Sequence, residues 1–216
     1  MRQQPDDAGI MQTTTTGPLH YVALGDSTGS GVGARDGGYV ARLFKRVLKE
    51  RPESQLTNLC VSGATTEDVI REQLDRAIAA KPSLITLGIG INDIGHGVSL
   101  ETFAENYERI VSRLRSHPDT PLIITNIPDT STAPRIPEMM RAEINRRIVV
   151  FNKKINEIAF RHGATVFDVY SVTHEVLPDH PEYFSADGFH PSDAGYEVWA
   201  QAMWPTVGKT IGASVE

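Results

Sequence analysis

Short apolar segments alternate along the chain with longer segments whose apolar residues recur at helical spacing. Five of the short segments are typical of strands, and one of them, residues 84–89, is continuously apolar, as expected for a strand buried on both faces. The pattern predicts strands over residues 21–24, 56–61, 84–89, 122–127 and 165–169. The first three strands lead directly into loops that carry glycine and polar residues.

The longer segments place apolar residues three and four positions apart, which predicts amphipathic helices. The predicted helices cover residues 39–50, 66–79, 100–115, 138–161 and 192–207. In the first of them one face carries Val40, Leu43, Phe44, Val47 and Leu48, and the other carries Arg42, Lys45, Arg46 and Lys49. We interpret that basic face as solvated surface. Residues 171–186 are predicted to be a long loop, and Pro205 is expected to disturb the end of the last helix.

This alternation of strands and helices indicates repeated βαβ units, a parallel sheet and helices on both of its faces. The chain shows no internal repeat and no interdomain linker, and its 216 residues suffice for one domain with a full-sized core. We predict a single domain over residues 19–212. Residues 1–18 are polar and rich in threonine, and we expect them to be disordered.

Charge and composition narrow the classes of partner. The net charge of −6 argues against nucleic acid or an anionic membrane surface as the main partner. A single cysteine excludes an internal disulfide, and no apolar run approaches the ~18 residues of a membrane span. The N-terminal segment lacks the apolar core of a secretory signal. We therefore expect a cytoplasmic protein without an integral membrane segment, and the sequence leaves its oligomeric state open.

The loop after the first strand carries the most informative residues. There Gly25-Asp26-Ser27-Thr28-Gly29 follows a short buried strand, so that a serine hydroxyl would lie at the rim of the sheet. Open α/β folds bind their ligands at this rim, outside the carboxyl ends of the strands. A turn into the next helix is the simpler interpretation, since Gly, Asp and Ser all favour turns. The functional hypothesis is that Ser27 is a catalytic nucleophile.

Residues that can activate such a serine follow other predicted strands, and in a parallel sheet these loops emerge at one edge. Serine is a weak nucleophile and needs a base within hydrogen-bond reach. His190 is the best candidate, and the carboxylate of Asp187 can fold back onto its imidazole ring. The developing oxyanion needs donors, and the backbone N–H groups of Ser27 and Gly63 and the side-chain amide of Asn92 are available.

Four short motifs occur in order along the chain: Gly25-Asp26-Ser27, Gly63, Gly90-x-Asn92-Asp93 and Asp187-x-x-His190. Together they resemble the four sequence blocks of the SGNH/GDSL hydrolases. The resemblance implies a flavodoxin-like, three-layer α/β/α fold with a parallel five-stranded sheet, and hydrolysis of esters through an acyl-enzyme. It also implies that the triad is Ser27, Asp187 and His190, and that the oxyanion hole is Ser27, Gly63 and Asn92.

The same resemblance assigns roles to the neighbours of these residues. Asp26 and Asp93 are expected to accept hydrogen bonds that organise their loops rather than to react. Thr28 stands where many members of the family carry an apolar residue. This departure concerns the shape of the substrate site more than the chemistry.

Other classes of site agree less well with the sequence. Gly25-x-Ser27-x-Gly29 also fits the nucleophile elbow of α/β-hydrolases, but there the serine follows several strands, whereas Ser27 follows the first. The glycines after Ser27 lack the GxGxxG spacing of dinucleotide sites. A metal site could be assembled from His174, Asp179, His180, Asp187 and His190. None of these shows a helical HExxH spacing, and we expect neither a metal nor another cofactor. A catalytically inactive binding module on the same scaffold is a further alternative.

The sequence defines the substrate less well than the reaction. Loops 95–100, 128–137 and 171–186 border the predicted site, and none carries a diagnostic motif. The short chain offers no obvious lid, so we expect an open groove and a small-molecule ester as substrate, with small, soluble esters favoured. A carbohydrate O-acetylesterase and a lysophospholipase on the same scaffold are the alternatives.

Overall fold

A parallel five-stranded sheet forms the centre of the protein in the computed structural model, which describes residues 17–213. The strands are β1 His20–Gly25, β2 Gln55–Asn58, β3 Leu84–Gly88, β4 Leu122–Thr125 and β5 Thr165–Phe167. Their order in the sheet is β2-β1-β3-β4-β5, and every neighbouring pair is parallel. This is the flavodoxin-like order, in which the direction of winding reverses between β1 and β3. All strands therefore end at the same edge of the sheet.

Helices cover both faces of the sheet. In chain order they are α1 Ser27–Ser30, α2 Tyr39–Glu50, α3 Thr66–Asp68, α4 Leu74–Ala79, α5 Ile91–Gly95, α6 Leu100–Leu114, α7 Glu138–Arg161, α8 Val169–Val176 and α9 Asp193–Ile211. A π-helical turn, Val69–Gln73, joins α3 to α4. Helices α2 and α9 pack together on one face, and α6 and α7 pack together on the other.

Alternate residues of β1 belong to two separate cores, because successive side chains of a strand point to opposite faces. Tyr21 and Ala23 are buried in the core that includes α2 and α9, whereas Val22 and Leu24 are buried in the core that includes α4, α6 and α7. The central strands are thus covered on both sides, which explains their continuous apolar sequence. The predicted α/β class, with a parallel five-stranded sheet between two layers of helices, is confirmed.

The prediction of a long loop over residues 171–186 is wrong in its first half. Helix α8 runs through Val176, and two short 3₁₀ turns follow at Leu177–Asp179 and Pro181–Tyr183. Asp168 caps the helix by accepting a hydrogen bond from the N–H of Ser171 at 3.1 Å. The helix is short, and three of its eight residues are valines, which favour strands, so its composition concealed it.

The basic face of α2 is solvated at Lys45 and Lys49, as the pattern indicated, but not at Arg42. Arg42 is only 9% exposed, and its guanidinium donates to Asp193 at 2.7 Å and to Glu197 at 3.1 Å. Leu48, expected on the buried face, is 38% exposed. The physical reason is that α9 packs over this side of α2 and supplies two carboxylates to pair with the buried charge.

The end of α9 also differs from expectation. Pro205 lies inside the helix, which continues to Ile211 and ends at Gly212 in the left-handed conformation with φ of 69°. The apolar core on this side of the sheet accounts for the continuation, because Val207 and Ile211 are both buried there. Packing thus maintains the helix beyond a residue that removes one backbone donor.

Most of the predicted N-terminal disordered segment, residues 1–18, lies outside the described residues, so its disorder stays a prediction, as do the domain bounds. Within residues 17–213, no helix combines the length and the apolar character that crossing a bilayer requires.

Candidate active site

The loop after β1 holds Ser27 at the edge of the sheet. Gly25 ends the strand with φ of 155°, and a side chain there would lie 2.3 Å from the carbonyl oxygen of Gly88, so the position requires glycine. The carboxylate of Asp26 accepts hydrogen bonds from the N–H of Thr28 at 3.0 Å and from its hydroxyl at 2.9 Å. Asp26 thereby caps α1, whose first residue is Ser27. Ser27 is only 5% exposed.

A buried glutamine, Gln73, which directly precedes α4, fixes the same loop through hydrogen bonds to Gly25. Gln73 accepts a hydrogen bond from the N–H of Gly25 at 2.9 Å and donates to the carbonyl of Gly25 at 2.9 Å. Gln73 is 1% exposed and ends the π-helical turn between α3 and α4. The sequence gives no signal for this contact, because a glutamine in an amphipathic helix is usually exposed.

Ser27, His190 and Asp187 form a continuous chain of hydrogen bonds. His190 Nε2 lies 3.0 Å from Ser27 Oγ, and His190 Nδ1 lies 2.6 Å from Asp187 Oδ2. The other carboxylate oxygen of Asp187 accepts from the Ser185 hydroxyl at 2.9 Å and from the backbone N–H groups of Phe189 and His190 at 2.8 and 2.9 Å. The structure therefore brings together the three residues that were predicted as a triad.

The surroundings of Asp187 keep its carboxylate ionised. Partial burial raises the pKa of Asp187, but hydrogen bonds from the imidazole ring of His190, the two backbone N–H groups and Ser185 outweigh that effect. The net result is that the pKa of Asp187 lies well below its usual range. An ionised Asp187 can hold the ring of His190 in one tautomer and stabilise its protonated form.

The predicted oxyanion donors follow the ends of the first three strands. The N–H groups of Ser27 and Gly63 make no hydrogen bond to any part of the chain that the structure describes, so both can donate to a ligand. Asn92 Nδ2 donates to the carbonyl of Ala64 at 2.8 Å, which ties the loop after β3 to the loop after β2. Because an amide group carries two hydrogens, this bond orients Asn92 and leaves the other hydrogen for a ligand.

Asp26 and Asp93 are both buried acceptors, as the resemblance implied. Asp93 is 1% exposed and accepts hydrogen bonds from the hydroxyl and, at 3.0 Å, from the backbone N–H of Thr66. Burial raises the pKa of Asp93, and it raises the pKa of Asp26 to about 6 against the opposing hydrogen bonds from Thr28. Asp26 therefore changes its charge in mildly acidic solution.

A cleft opens beside Ser27 and His190 and encloses about 700 Å³, including the part open to solvent. Its walls are mainly apolar and include Val169, Val172 and Val176 of α8, Val198 and Trp199 of α9, and Phe184 and Phe189 of the intervening loop. The predicted loop over residues 171–186 contains most of α8, so the sequence did not lead us to expect this wall. Residues 169, 172, 173 and 176 follow the i, i+3, i+4, i+7 spacing of a helix face, and this was the signal that could have revealed it.

The residues considered for a metal site have separate partners. His174 Nδ1 lies 2.7 Å from a carboxylate oxygen of Asp129, and His180 Nδ1 lies 2.8 Å from one of Glu182. Between residues 17 and 213, no three His, Cys, Asp or Glu side chains converge as a metal site requires. His190 contacts Asp187 and Ser27 instead, as described above.

Comparison with known proteins gives matches over most of the chain. Residues 23–198 match the GDSL-like Lipase/Acylhydrolase family. An acetylxylan esterase from Geobacillus stearothermophilus is 26% identical over 187 residues, which cover 82% of this chain and 83% of that protein. The crystal structure of a lipase/acylhydrolase from Enterococcus faecalis is 25% identical with a TM-score of 0.70, and the match covers 91% of this chain and 100% of that one. The crystal structure of a catalytic mutant of Axe2, an acetylxylan esterase from G. stearothermophilus, has the same fold. It is 21% identical with a TM-score of 0.72, and the match covers 93% of this chain and 97% of that one.

Proposed function

The chain belongs to the GDSL-like lipase/acylhydrolase family, and from this premise we propose that it cleaves carboxylic esters through an acyl-enzyme formed on Ser27. The observation that carries the proposal is the chain of hydrogen bonds from Ser27 Oγ through His190 to Asp187, with distances of 3.0 and 2.6 Å. A serine hydroxyl within hydrogen-bond reach of an imidazole that a carboxylate orients is the arrangement that nucleophilic catalysis requires.

In the first half of the reaction, Ser27 Oγ attacks the ester carbonyl while His190 Nε2 accepts its proton. The ionised carboxylate of Asp187 stabilises the imidazolium that results. Negative charge develops on the carbonyl oxygen and is stabilised by the N–H groups of Ser27 and Gly63 and by the amide of Asn92. His190 then returns the proton to the departing alkoxide, which leaves as an alcohol and gives the acyl-enzyme.

In the second half, a water molecule replaces the alcohol. His190 accepts a proton from this water as its oxygen attacks the acyl carbonyl, and the same donors stabilise the second oxyanion. Collapse of this intermediate breaks the bond to Ser27 Oγ, and His190 returns the proton to the serine. The products are a carboxylic acid, an alcohol and the free enzyme.

The test is hydrolysis of p-nitrophenyl acetate and butyrate by the wild type and by Ser27→Ala, with Ser112→Ala as a matched control. Ser112 is an exposed serine on α6, far along the chain from the site loops. We expect Ser27→Ala to reduce kcat by about 10⁴-fold or more and Ser112→Ala to leave it unchanged. A fluorophosphonate should add to Ser27 of the wild type, as located by peptide mass spectrometry. Activity of Ser27→Ala within tenfold of wild type would exclude the acyl-enzyme on this residue.

A carbohydrate O-acetylesterase is the second candidate, and the observation that favours it is the similarity to an acetylxylan esterase. It predicts release of acetate from acetylated xylo-oligosaccharides at a rate well above that from simple alkyl acetates. A catalytically inactive binding module predicts neither ester turnover nor labelling of Ser27 by the fluorophosphonate.

A further inference from the structure

The nucleophile and the base of the proposed triad lie on segments that are far apart in the chain. Ser27 begins α1, whereas His190 comes shortly before α9. In the described part of the chain, every hydrogen bond that Asp187 accepts comes from residues 185–190. Asp187 therefore orients His190 within its own segment, and the distance between His190 and Ser27 depends on contacts between the two segments.

The carboxylate of Asp193 makes such a contact. One of its oxygens accepts hydrogen bonds from the backbone N–H groups of Arg35 and Asp36, at 3.2 and 3.1 Å, and from the guanidinium of Arg42 at 2.7 Å. Both N–H groups belong to the loop over residues 31–38, which joins α1 to α2, and Asp193 is the first residue of α9. Hydrogen bonds from these two N–H groups, and secondarily the charge of the guanidinium, lower the pKa of Asp193, so its carboxylate is ionised at neutral pH.

The same loop contacts both members of the proton-transfer pair. At its start, the N–H of Val32 donates to the carbonyl of Ser27 at 3.0 Å. At Gly33 it approaches the base segment so closely that a side chain there would lie 3.0 Å from Cβ of His190. Resting on the proposed function, we propose that Asp193 is a positioning residue, which by binding this loop sets the distance between Ser27 Oγ and His190 Nε2.

A second hydrogen bond joins α9 to the loop. The hydroxyl of Tyr196, a fully buried residue, donates to the carbonyl of Val32 at 2.8 Å. Tyr196 lies three positions after Asp193 on α9, so the two side chains are neighbours on one face of the helix. Because hydrogen bonds are directional, these contacts at two points of the loop fix its orientation as well as its distance from α9.

Glu197 serves as an internal control, because it binds the same guanidinium as Asp193 but not the loop. Its carboxylate accepts a hydrogen bond from Arg42 at 3.1 Å and another from Arg46. As far as the structure describes the chain, it accepts none from residues 31–38. Loss of its charge should therefore weaken the contact between α2 and α9 without moving the base.

Three variants separate the position of the base from the stability of the fold. Asp193→Ala removes the oxygen that holds the loop, Asp193→Asn keeps an oxygen there without the charge, and Glu197→Gln removes a charge at the other side of Arg42. All three weaken the pairing of a buried guanidinium, so all three should unfold at a lower temperature than the wild type.

Kinetics with p-nitrophenyl butyrate, well below the unfolding temperatures, should distinguish the three variants. Asp193→Ala should lower kcat by about 10²-fold at an unchanged KM, because a misplaced base slows proton transfer but not binding of the ester. Asp193→Asn should retain most of the activity, and Glu197→Gln should leave it unchanged. A purely structural role predicts instead that kcat follows the unfolding temperature in all three.

Labelling by a fluorophosphonate measures the same effect without an ester. The reaction depends on activation of Ser27 by His190, so its rate constant should fall in Asp193→Ala in parallel with kcat. Gly33→Ala perturbs the same contact from the side of the loop, since its methyl group would lie 2.7 Å from the carbonyl oxygen of Pro191. It should also lower kcat at an unchanged KM, and it keeps the inference testable if Asp193→Ala does not fold.

The outcomes distinguish this inference from the proposed function. If Ser27→Ala retains activity and the wild type is not labelled, the proposed function fails and the inference fails with it. If Ser27 is labelled but kcat follows the unfolding temperature across the variants, or if KM rises at constant kcat in Asp193→Ala, the positioning role is refuted and the esterase remains. An unchanged kcat in Gly33→Ala would likewise overturn it.

Discussion

Two regions of the candidate site are held in place by different forces. The loops after β1, β2 and β3 are fixed by hydrogen bonds between buried polar groups, such as those from Gln73 to Gly25 and those from Thr66 to Asp93. The segment from α8 to the second 3₁₀ turn, residues 169–183, instead presents half-buried apolar side chains such as Val172 to the cleft. The first region carries the proposed nucleophile and the oxyanion donors, and the second forms much of the cleft wall.

This difference follows from the physical demands of the two tasks. Hydrogen bonds are directional, and a buried polar group without a partner costs about 1–3 kcal/mol, so a buried polar network tolerates few changes. Burial of apolar surface is not directional and scales with area, so a wall of valines can change shape and still bind a chain. Changes in the first region should therefore reduce the rate or the stability, whereas changes in the second should alter the choice of substrate.

The largest effects are expected in the hydrogen-bond chain that starts at Ser27. His190→Ala removes the proposed base and should lower kcat for p-nitrophenyl butyrate by about 10⁶-fold, whereas Asp187→Ala, which removes a group that orients the base, should cost about 10⁴-fold. Steady-state kinetics on proteins with matched thermal unfolding measures both. Equal losses would contradict the separate roles, and a loss below tenfold would remove that residue from the mechanism.

Asn92 should have the next largest effect. Asn92→Ala removes an oxyanion donor and should lower kcat by about 10²–10³-fold with little change in KM, because the donor acts on charge that develops only in the transition state. It also removes the hydrogen bond to Ala64, so its thermal unfolding has to be measured alongside. A rise in KM at constant kcat would show that Asn92 binds the ester in its ground state instead.

A substitution of Gln73 tests whether the buried polar network around the loop after β1 tolerates the loss of one side chain. Gln73→Met keeps the size of the side chain but leaves the N–H of Gly25 without its partner, whereas the C=O of Gly25 keeps a hydrogen bond from the N–H of Val61 at 3.1 Å. The change should lower the free energy of unfolding by about 1–3 kcal/mol. Gln201→Met on the exposed side of α9 is the control and should change it by less than about 0.5 kcal/mol. Denaturant titration measures both, and equal values for the two variants would refute a special role for the hydrogen bonds between Gln73 and Gly25.

The raised pKa of Asp26 should make the stability of the protein depend on pH. Its pKa is about 6 in the folded protein, against about 3.9 in an unfolded chain, so the folded state binds the extra proton between these values. The free energy of unfolding should therefore fall as the pH rises from about 4 to about 6, by up to roughly 3 kcal/mol from this group. Asp26→Asn has no carboxyl group to titrate at this position. As the pH rises from about 4 to about 6, the free energy of unfolding should therefore fall less in the variant than in the wild type. Parallel curves for the two proteins would contradict the assignment.

The sequence was most informative where chemistry and topology coincide. Ser27 and Asn92 come directly after β1 and β3, and His190 comes after β5 by way of α8. A parallel sheet brings the segments after its strands to one edge, so the proximity of these side chains could be predicted without any side-chain geometry. The apolar pattern also predicted the central strands, because β3 and β4 are covered on both faces and their sequences are therefore almost continuously apolar.

The parts that could not be predicted depend on contacts between distant segments. Arg42 is buried only because α9 supplies Asp193 and Glu197, which lie far away in the sequence. Gln73 reaches Gly25 from the end of a π-helical turn, and such a turn shifts the side chains that follow it away from the regular helical spacing. Helix α8 has three valines among its eight residues, which favour strands, and it packs against α9, with Val169 buried in the core that the two helices share.

The smallest expected effect concerns a polar contact in the second region. His174 is 62% exposed, and its partner Asp129 keeps hydrogen bonds from the N–H of Ser131 at 2.9 Å and from Asn145 at 3.1 Å when the imidazole is removed. His174→Ala should therefore lower the free energy of unfolding by less than about 1 kcal/mol, because water can replace the exposed imidazole as a partner of Asp129. Denaturant titration of His174→Ala and Gln73→Met under the same conditions compares their free energies of unfolding directly. A loss as large as that of Gln73→Met would show that the cleft wall depends on a polar anchor as strongly as the catalytic loops do, and the contrast between the two regions would then fail.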